Sequence, residues 1–351
     1  MLLEKRIHAF AKLGEFLSQF NSKDFIKKEN IIHNDLFFDA FAMQIKRAKE
    51  FNAWFTEDNV IFAIKSWSNL LTNENIEKWL MNYKIPANLN KNIAVIMAGN
   101  IPLVGFHDFL TVLISGHNIV IKQSSNDKHF LPLIAKYLEY IEPKFKGKIN
   151  FTDKLNNFDA VIATGSNNTA RYFDYYFGKY PNIIRQNRNA VAVLTGKETN
   201  NELEKLGDDI FRYFGLGCRN VAKIFVPKDY KFEDFFGAIF KFKDIIEYQK
   251  YENNYTYNKA VYLMSLFKLK ENGFLMLKED KSYTSPIASL FYEYYTDIKQ
   301  LKNKLEIEKD KIQVIVSNES LKNSVKFGET QNPQLWEYAD GVDTLEFLIT
   351  L

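Results

Sequence analysis

Apolar positions recur at three- and four-residue spacing over roughly the first 85 residues. Leu3, Ile7, Phe10, Leu13, Leu17 and Phe20 share one face, which predicts an amphipathic helix. Phe62, Trp67, Leu70 and Leu71 predict another, and Ile76, Trp79 and Leu80 a third, before Pro86 interrupts the pattern. From Asn92 onward the texture changes to short apolar runs separated by helical stretches. Strands are expected at 93–97, 119–121, 158–163, 191–194, 223–226 and 313–316, with extended chain at Ile183 and Ile184. Helices are expected at 104–114, 131–141, 169–177 and 201–214.

This alternation predicts an α/β fold built on a parallel sheet. The strands are almost wholly apolar rather than alternating, as strands covered on both faces are. No internal repeat and no low-complexity linker marks a domain boundary, although 351 residues suggest about two domains.

Composition and charge narrow the function classes. With 46 Lys and Arg against 43 Asp and Glu, the net charge of +3 offers no basic excess for a nucleic-acid partner. Phe and Tyr are abundant but scattered, which reads as compositional drift rather than as a greasy pocket. The first 20 residues carry Glu4, Lys5 and Arg6 with no apolar run behind them, so no signal peptide is expected. The most apolar stretch, from Phe109 to Ile114, is too short to span a bilayer. A cytoplasmic protein without a membrane span is the expectation.

Cys218 is the single cysteine, so no internal disulfide and no thiolate metal cluster are expected. His8, His33, His107, His117 and His129 show no paired metal-ligand spacing, and no metal site is expected. His107 reads as a packed or surface histidine, and His117, in Gly116-His-Asn118, as a solvent-facing turn residue.

Open parallel sheets bind ligands at the carboxyl ends of their strands. Gly99-Asn100, Lys122 to Ser125, and Thr164-Gly165-Ser166 occupy such ends. The last opens a helix, where free N–H groups and the helix dipole suit a phosphate. An ordinary N-cap by Ser166 or Asn167 explains the same residues. Cys218 follows Gly215-Leu-Gly217 on a loop between a helix and a strand. Glycines allow close substrate approach, and Arg219 with local amides would favour a thiolate. A structural cysteine and a catalytic one both remain open on these residues alone.

The series Gly99-Asn-Ile-Pro102, Gly116-His-Asn-Ile-Val-Ile-Lys122, Ala163-Thr-Gly-Ser166 and Gly215-Leu-Gly-Cys218 resembles the aldehyde dehydrogenase superfamily. Within it the chain is most similar to acyl-CoA reductases related to the fatty-acyl reductase of bacterial luminescence. The likeness extends over nearly the whole chain and includes the ending from Phe327 to Gly341.

The resemblance implies a Rossmann-type cofactor domain, residues 1–188 rejoined by 327–351, and an α/β catalytic domain, residues 189–326. It implies that Cys218 is the nucleophile and that Asn100, with the Cys218 backbone N–H, forms an oxyanion hole. It implies that Lys122 holds the adenine-side ribose and that Thr164, Gly165 and Ser166 lie beside the pyrophosphate of a nicotinamide cofactor.

Three departures from the family pattern refine this. Ile184 stands where oxidising relatives carry a glutamate general base, which favours acyl-CoA reduction over release of a free acid. Ser125 stands where NAD-preferring relatives carry a glutamate, which favours NADPH, with NADH open. Ser282-Tyr-Thr-Ser-Pro286 replaces the segment that contacts the nicotinamide ribose.

The expected activity is NADPH-dependent reduction of an acyl-CoA to an aldehyde, with CoA as leaving group. The alternatives are aldehyde oxidation, reduction of an acyl carrier protein thioester or acyl phosphate, and a non-catalytic acyl- or nucleotide-binding subunit. No oligomerisation arm is evident, which leaves a homodimer or an acyltransferase partner open.

Overall fold

The structure is a computed structural model that describes residues 1–87 and 89–351, with the backbone alone at Asn167 and Asn168. It divides into two units, Met1–Gln186 with Gln334–Leu351, and Asn187–Pro333.

The first unit opens with the helices α1 (Leu3–Leu17), α2 (Asn34–Phe51), α3 (Glu57–Leu70) and α4 (Asn73–Leu80). Thr56 caps α3 and Thr72 caps α4, each hydroxyl accepting from the backbone N–H three residues on. The strands β1 (Asn92–Ile96), β2 (Asn118–Lys122), β3 (Ile149–Phe151), β4 (Ala160–Thr164) and β5 (Asn182–Arg185) follow. Between them run α5 (Phe106–Ser115), α6 (Phe130–Ile141) and α7 (Asn167–Phe177), and α12 (Thr344–Ile349) returns from the end of the chain. All the strands pair in parallel, in the order β3-β2-β1-β4-β5. The strand order reverses at β1 and β4, so the crevice beyond their carboxyl ends is the switch point where such sheets take ligands.

Apolar surface on α1 drives the packing. Phe10, Leu13, Phe16 and Leu17 are buried, as is Phe20 in the turn that follows, while Leu3 and Ile7 are only partly so. Aromatic residues that read as scattered along the chain converge here. The Phe16 ring stacks on Tyr137 with centroids 4.4 Å apart, and Phe10 meets Phe109 and Phe145 edge-on at 6.4 and 6.1 Å.

The returning tail is tied in by polar contacts. Trp79 Nε1 donates to the Tyr338 hydroxyl at 2.7 Å, and the Tyr83 hydroxyl donates to Asp343 at 2.6 Å. His107 Nε2 lies 2.9 Å from the Leu335 carbonyl, among the rings of Trp67, Trp79 and Tyr338.

His117 is fully buried rather than solvent-facing. Its Nδ1 accepts the Lys91 backbone N–H at 3.0 Å, and its Nε2 lies 2.9 Å from the Leu348 carbonyl. The Nδ1 lone pair is therefore used, and Nε2 carries the proton that meets Leu348. The ring is drawn inward because the Lys91 N–H before β1 and the Leu348 carbonyl in α12 both find their partner in it.

The second unit carries β6 (Asn189–Val193), β7 (Val221–Pro227), β8 (Leu269–Glu271), β9 (Met276–Glu279), β10 (Ser289–Tyr295), β11 (Ile312–Val316) and β12 (Ser324–Val325). Their order is β12-β11-β6-β7-β10-β9-β8, parallel except for the β8–β9 pair. Its helices are α8 (Asn200–Phe211), α9 (Phe232–Ile239), α10 (Gln249–Met264) and α11 (Ile298–Ile307). A capping box starts α8, with Thr199 and Glu202 each satisfying the other's backbone N–H.

Two boundaries differ from the sequence reading. The helix expected over 201–214 ends at Phe211, because Tyr213 and Phe214 turn left-handed. Residues 327–333, read with the cofactor domain, lie in the second unit. There the Asp209 carboxylate accepts from the Gly328 N–H at 2.7 Å, the Thr330 N–H at 3.0 Å and the Thr330 hydroxyl at 2.7 Å.

Candidate active site

The residues expected to bind a cofactor, and Asn100, expected in the oxyanion hole, lie at the carboxyl ends of β1, β2 and β4. Asn100 is exposed on the loop after β1, and Lys122 and Ser125 are exposed at and just beyond the end of β2. Thr164 ends β4, and Gly165 and Ser166 lead into α7. The Ser166 hydroxyl accepts the Thr169 N–H at 3.3 Å and therefore caps α7. The Asn167 side chain, the other candidate cap, lies outside the described residues.

These loops approach one another closely. A Cβ on Gly99 would lie 2.6 Å from Ser124, so the turns after β1 and β2 meet only if residue 99 is glycine. A Cβ on Gly165 would lie 2.9 Å from the Phe173 ring, so the turn after β4 folds back on its own helix. Asn52 fastens the first pair of loops, its Nδ2 lying 3.4 Å from the Gly99 carbonyl and 3.3 Å from the Asn126 carbonyl.

Asp127 accepts the Leu103 N–H at 3.0 Å, and Leu103 has a left-handed φ of 58°. Burial pushes the Asp127 carboxyl up to about 7, only partly offset by that hydrogen bond.

Arg185, at the end of β5, grips Asp108 in the first turn of α5. The two guanidinium contacts are 2.6 and 2.9 Å, and Nη2 also donates to the Thr344 hydroxyl at 3.0 Å. Ile184 lies in β5 beside this arginine.

The donor set suits a dinucleotide: an exposed cation at Lys122, hydroxyls at Ser125 and Ser166, and the N-terminal amides of α7 at the sheet's switch point.

Cys218 belongs to the second unit, half-buried on the loop that leads from α8 into the amino end of β7. The chain reaches it through three consecutive left-handed residues, Tyr213 at φ 53°, Phe214 at φ 59° and Gly215 at φ 77°. Only the glycine takes this conformation freely; each of the others costs roughly 1–2 kcal/mol. Such strain persists only where the surroundings enforce it, and it gathers at functional sites.

Here the Phe214 ring stacks on Tyr248, with centroids 4.7 Å apart and planes 23° off parallel, and the Tyr213 ring is buried. Asn220, 1% exposed, spans the loop with hydrogen bonds at both ends of its amide. Arg219 donates through Nε to the Thr330 carbonyl, so this guanidinium is occupied with the 328–330 strap. Burial pushes the Asp209 carboxyl, which holds that strap, up to about 6 against the pull of its hydrogen bonds.

The Ser282–Pro286 segment is bound up within its own unit. The Tyr283 hydroxyl donates to Glu308 at 2.6 Å, and the Thr284 hydroxyl to Asn189 at 2.7 Å. Beyond the cysteine, Lys223 of β7 is fully buried between the rings of Phe225 and Tyr283, each 4.9 Å from Nζ. Its ammonium donates to Glu293 at 2.6 Å and to the Lys281 carbonyl at 2.9 Å, while burial lowers its pKa.

Sequence reasoning missed Asp108, Asp127, Arg185, Asp209 and Asn220. Asn220 alone left a local trace, two residues after the cysteine. Among the described residues, no group of three or more His, Cys, Asp or Glu side chains could hold a metal ion. No helix there is long and apolar enough to cross a membrane.

The fold is that of the aldehyde dehydrogenases. Aldehyde dehydrogenase 21 from Physcomitrella patens, solved with the reaction product succinate, is 11% identical, covers 100% of this chain and 84% of its own, and gives a TM-score of 0.67. The NAD+ complex of an aldehyde dehydrogenase from Bacillus cereus is 12% identical over 90% of this chain and 72% of its own, with a TM-score of 0.56. An indole-3-acetaldehyde dehydrogenase from P. syringae is 11% identical over 90% of this chain and 72% of its own, with a TM-score of 0.57. At the level of sequence, no family model and no curated protein matches.

Proposed function

We propose that this protein is an acyl-CoA reductase that uses NADPH to convert a thioester to an aldehyde through an acyl group carried on Cys218. The observation that carries the reading is the placement of the only cysteine on a strained, tied-down loop entering β7 of an aldehyde dehydrogenase fold. Loops held in this way keep a nucleophile pre-aimed.

The Cys218 sulfur, as thiolate, attacks the thioester carbonyl carbon. The bond from that carbon to the CoA sulfur breaks, CoA leaves as a thiolate, and the acyl group remains on Cys218. The Asn100 amide supplies an oxyanion donor, worth on the order of 3 kcal/mol in such roles. A nicotinamide nucleotide, when bound, supplies the hydride that releases the aldehyde. With Ile184 in place of a glutamate, no carboxylate at that position activates water, so the acyl group persists on sulfur. Ser125 brings no negative charge against a 2′-phosphate, which supports NADPH over NADH.

Intact-mass analysis after mixing with a panel of acyl-CoAs, without reductant, tests this reading. One acyl adduct mapped to Cys218 is expected, and Cys218→Ala should remove it together with activity. A loss of activity below about tenfold in that variant overturns the role of Cys218. A thiol that alkylates normally yet takes no acyl group from any CoA ester overturns CoA as the donor and turns attention to acyl carrier protein thioesters or acyl phosphates.

Aldehyde oxidation is the second reading, supported by the likeness in fold to aldehyde dehydrogenases. Free acid as the product from aldehyde and oxidised cofactor, without CoA, would replace the first reading with this one.

A further inference from the structure

We infer that Asn220 is a positioning residue for Cys218, its amide holding the left-handed loop that sets the orientation and ionisation of the thiol. The inference rests on the reading of Cys218 as the nucleophile.

The geometry is specific. Asn220 Oδ1 accepts the Gly217 N–H at 2.8 Å, directly before the cysteine. On the other side of the amide, Nδ2 donates to the Arg212 carbonyl at 2.8 Å and the Asp209 carbonyl at 3.1 Å, with the Ile210 carbonyl at 3.5 Å. One side chain thus ties the C-terminal turn of α8 to the residue before Cys218, across the left-handed turn at 213–215. The Asn220 N–H also donates to the Gly217 carbonyl at 3.0 Å, so both backbone groups of Gly217 face Asn220. Beyond the cysteine, Arg219 reaches Thr330, which Asp209 holds. Cys218 is therefore fixed from both flanks.

The arrangement has an electrostatic consequence. The carbonyl end of a helix is its negative pole and opposes a nearby thiolate. Asn220 covers those carbonyls at the end of α8 with an N–H donor. Removing the amide exposes the carbonyls, frees the Gly217 N–H to turn away and lets the loop relax from its left-handed turn.

Alkylation by iodoacetamide reads this directly, because Cys218 is the only cysteine and neither acyl-CoA nor cofactor is needed. In Asn220→Ala, the alkylation rate at pH 7 should fall about tenfold, and the pH midpoint of its profile should rise. NADPH binding to the same variant should stay within about threefold of the parent. Asn220→Asp keeps the acceptor for Gly217 but turns an oxygen toward the helix carbonyls; it should move the midpoint further than alanine does. A profile within about twofold of the parent in both variants overturns the inference. If neither variant folds, hydrogen exchange in the unmodified protein decides. The Gly217 amide should be protected like the β7 core, and exchange at the rate of an open loop overturns the inference. Failure of every acyl-CoA to label Cys218 would overturn the proposed substrate while leaving the alkylation profile to judge Asn220 separately.

Discussion

Arg185 holds Asp108 with two parallel hydrogen bonds of 2.6 and 2.9 Å in the interior of the first unit. The pair joins the carboxyl end of β5 to the first turn of α5, and through Thr344 it reaches the returning tail. Both side chains are more than nine-tenths buried. A bidentate pair of this kind is strong because both charges are satisfied where water cannot compensate.

Arg185→Ala leaves the Asp108 carboxylate buried without its guanidinium. The expected loss is about 3–5 kcal/mol of unfolding free energy, measured in urea. The double variant Asp108→Leu with Arg185→Met removes both charges and should recover most of that loss. A double variant as unstable as the single one would show that the pair matters for more than its charge.

His107 and His117 make stability pH-dependent. Burial lowers both below the ordinary value of 6.5, so both stay neutral in the fold while the unfolded chain takes up protons first. Their contribution is complete above pH 6.5 and lost as the pH falls below it. Each steepens the decline by up to about 1.4 kcal/mol per pH unit. Comparing the parent with His117→Gln between pH 7.5 and about 5 should show a flatter dependence in the variant.

Asp127 works in the opposite direction. Its folded pKa of about 7 lies above the ordinary 3.8, so the folded chain holds the proton longer. Ionisation costs stability progressively as the pH rises from about 4 to 7, and the cost is level above that. Asp127→Asn keeps an acceptor for the Leu103 N–H without the charge. It should stabilise the protein at pH 8 by on the order of 4 kcal/mol and leave it nearly unchanged near pH 4. Equal gains at both values would refute burial of the charge as the cause.

Ser125→Glu places a carboxylate at the exposed end of β2. Repulsion against a 2′-phosphate should lower kcat/KM with NADPH by about tenfold or more, equivalent to about 1.4 kcal/mol, while NADH is unaffected or improved. Steady-state kinetics with the two cofactors gives the ratio. No change in that ratio would place the adenine ribose elsewhere.

Much of the framework was legible in the chain. The apolar runs at Ile93, Ile119, Val161 and Val191 became buried parallel strands, because a run covered on both faces needs no alternation. The turns after β1, β2 and β4 were visible as small and polar residues where apolar strands stop. The left-handed turn was not visible, since Tyr213 and Phe214 have no local reason to leave the helix. Their conformation depends on Asn220, Tyr248 and the buried place of Tyr213. The burial of His117 leaves no local trace for the same reason: its two partners, Lys91 and Leu348, lie 26 and 231 residues away.

The α/β alternation, the lone cysteine after its glycines and the polar strand ends follow from local order alone, because periodicity and turn chemistry act between near neighbours. Which polar groups are buried together depends on how the chain closes on itself. Arg185 meets Asp108 across 77 residues, and Asp209 meets Thr330 across 121. Partners so distant leave no periodic trace; they are selected when the core closes and each buried donor or charge must find the one group that satisfies it.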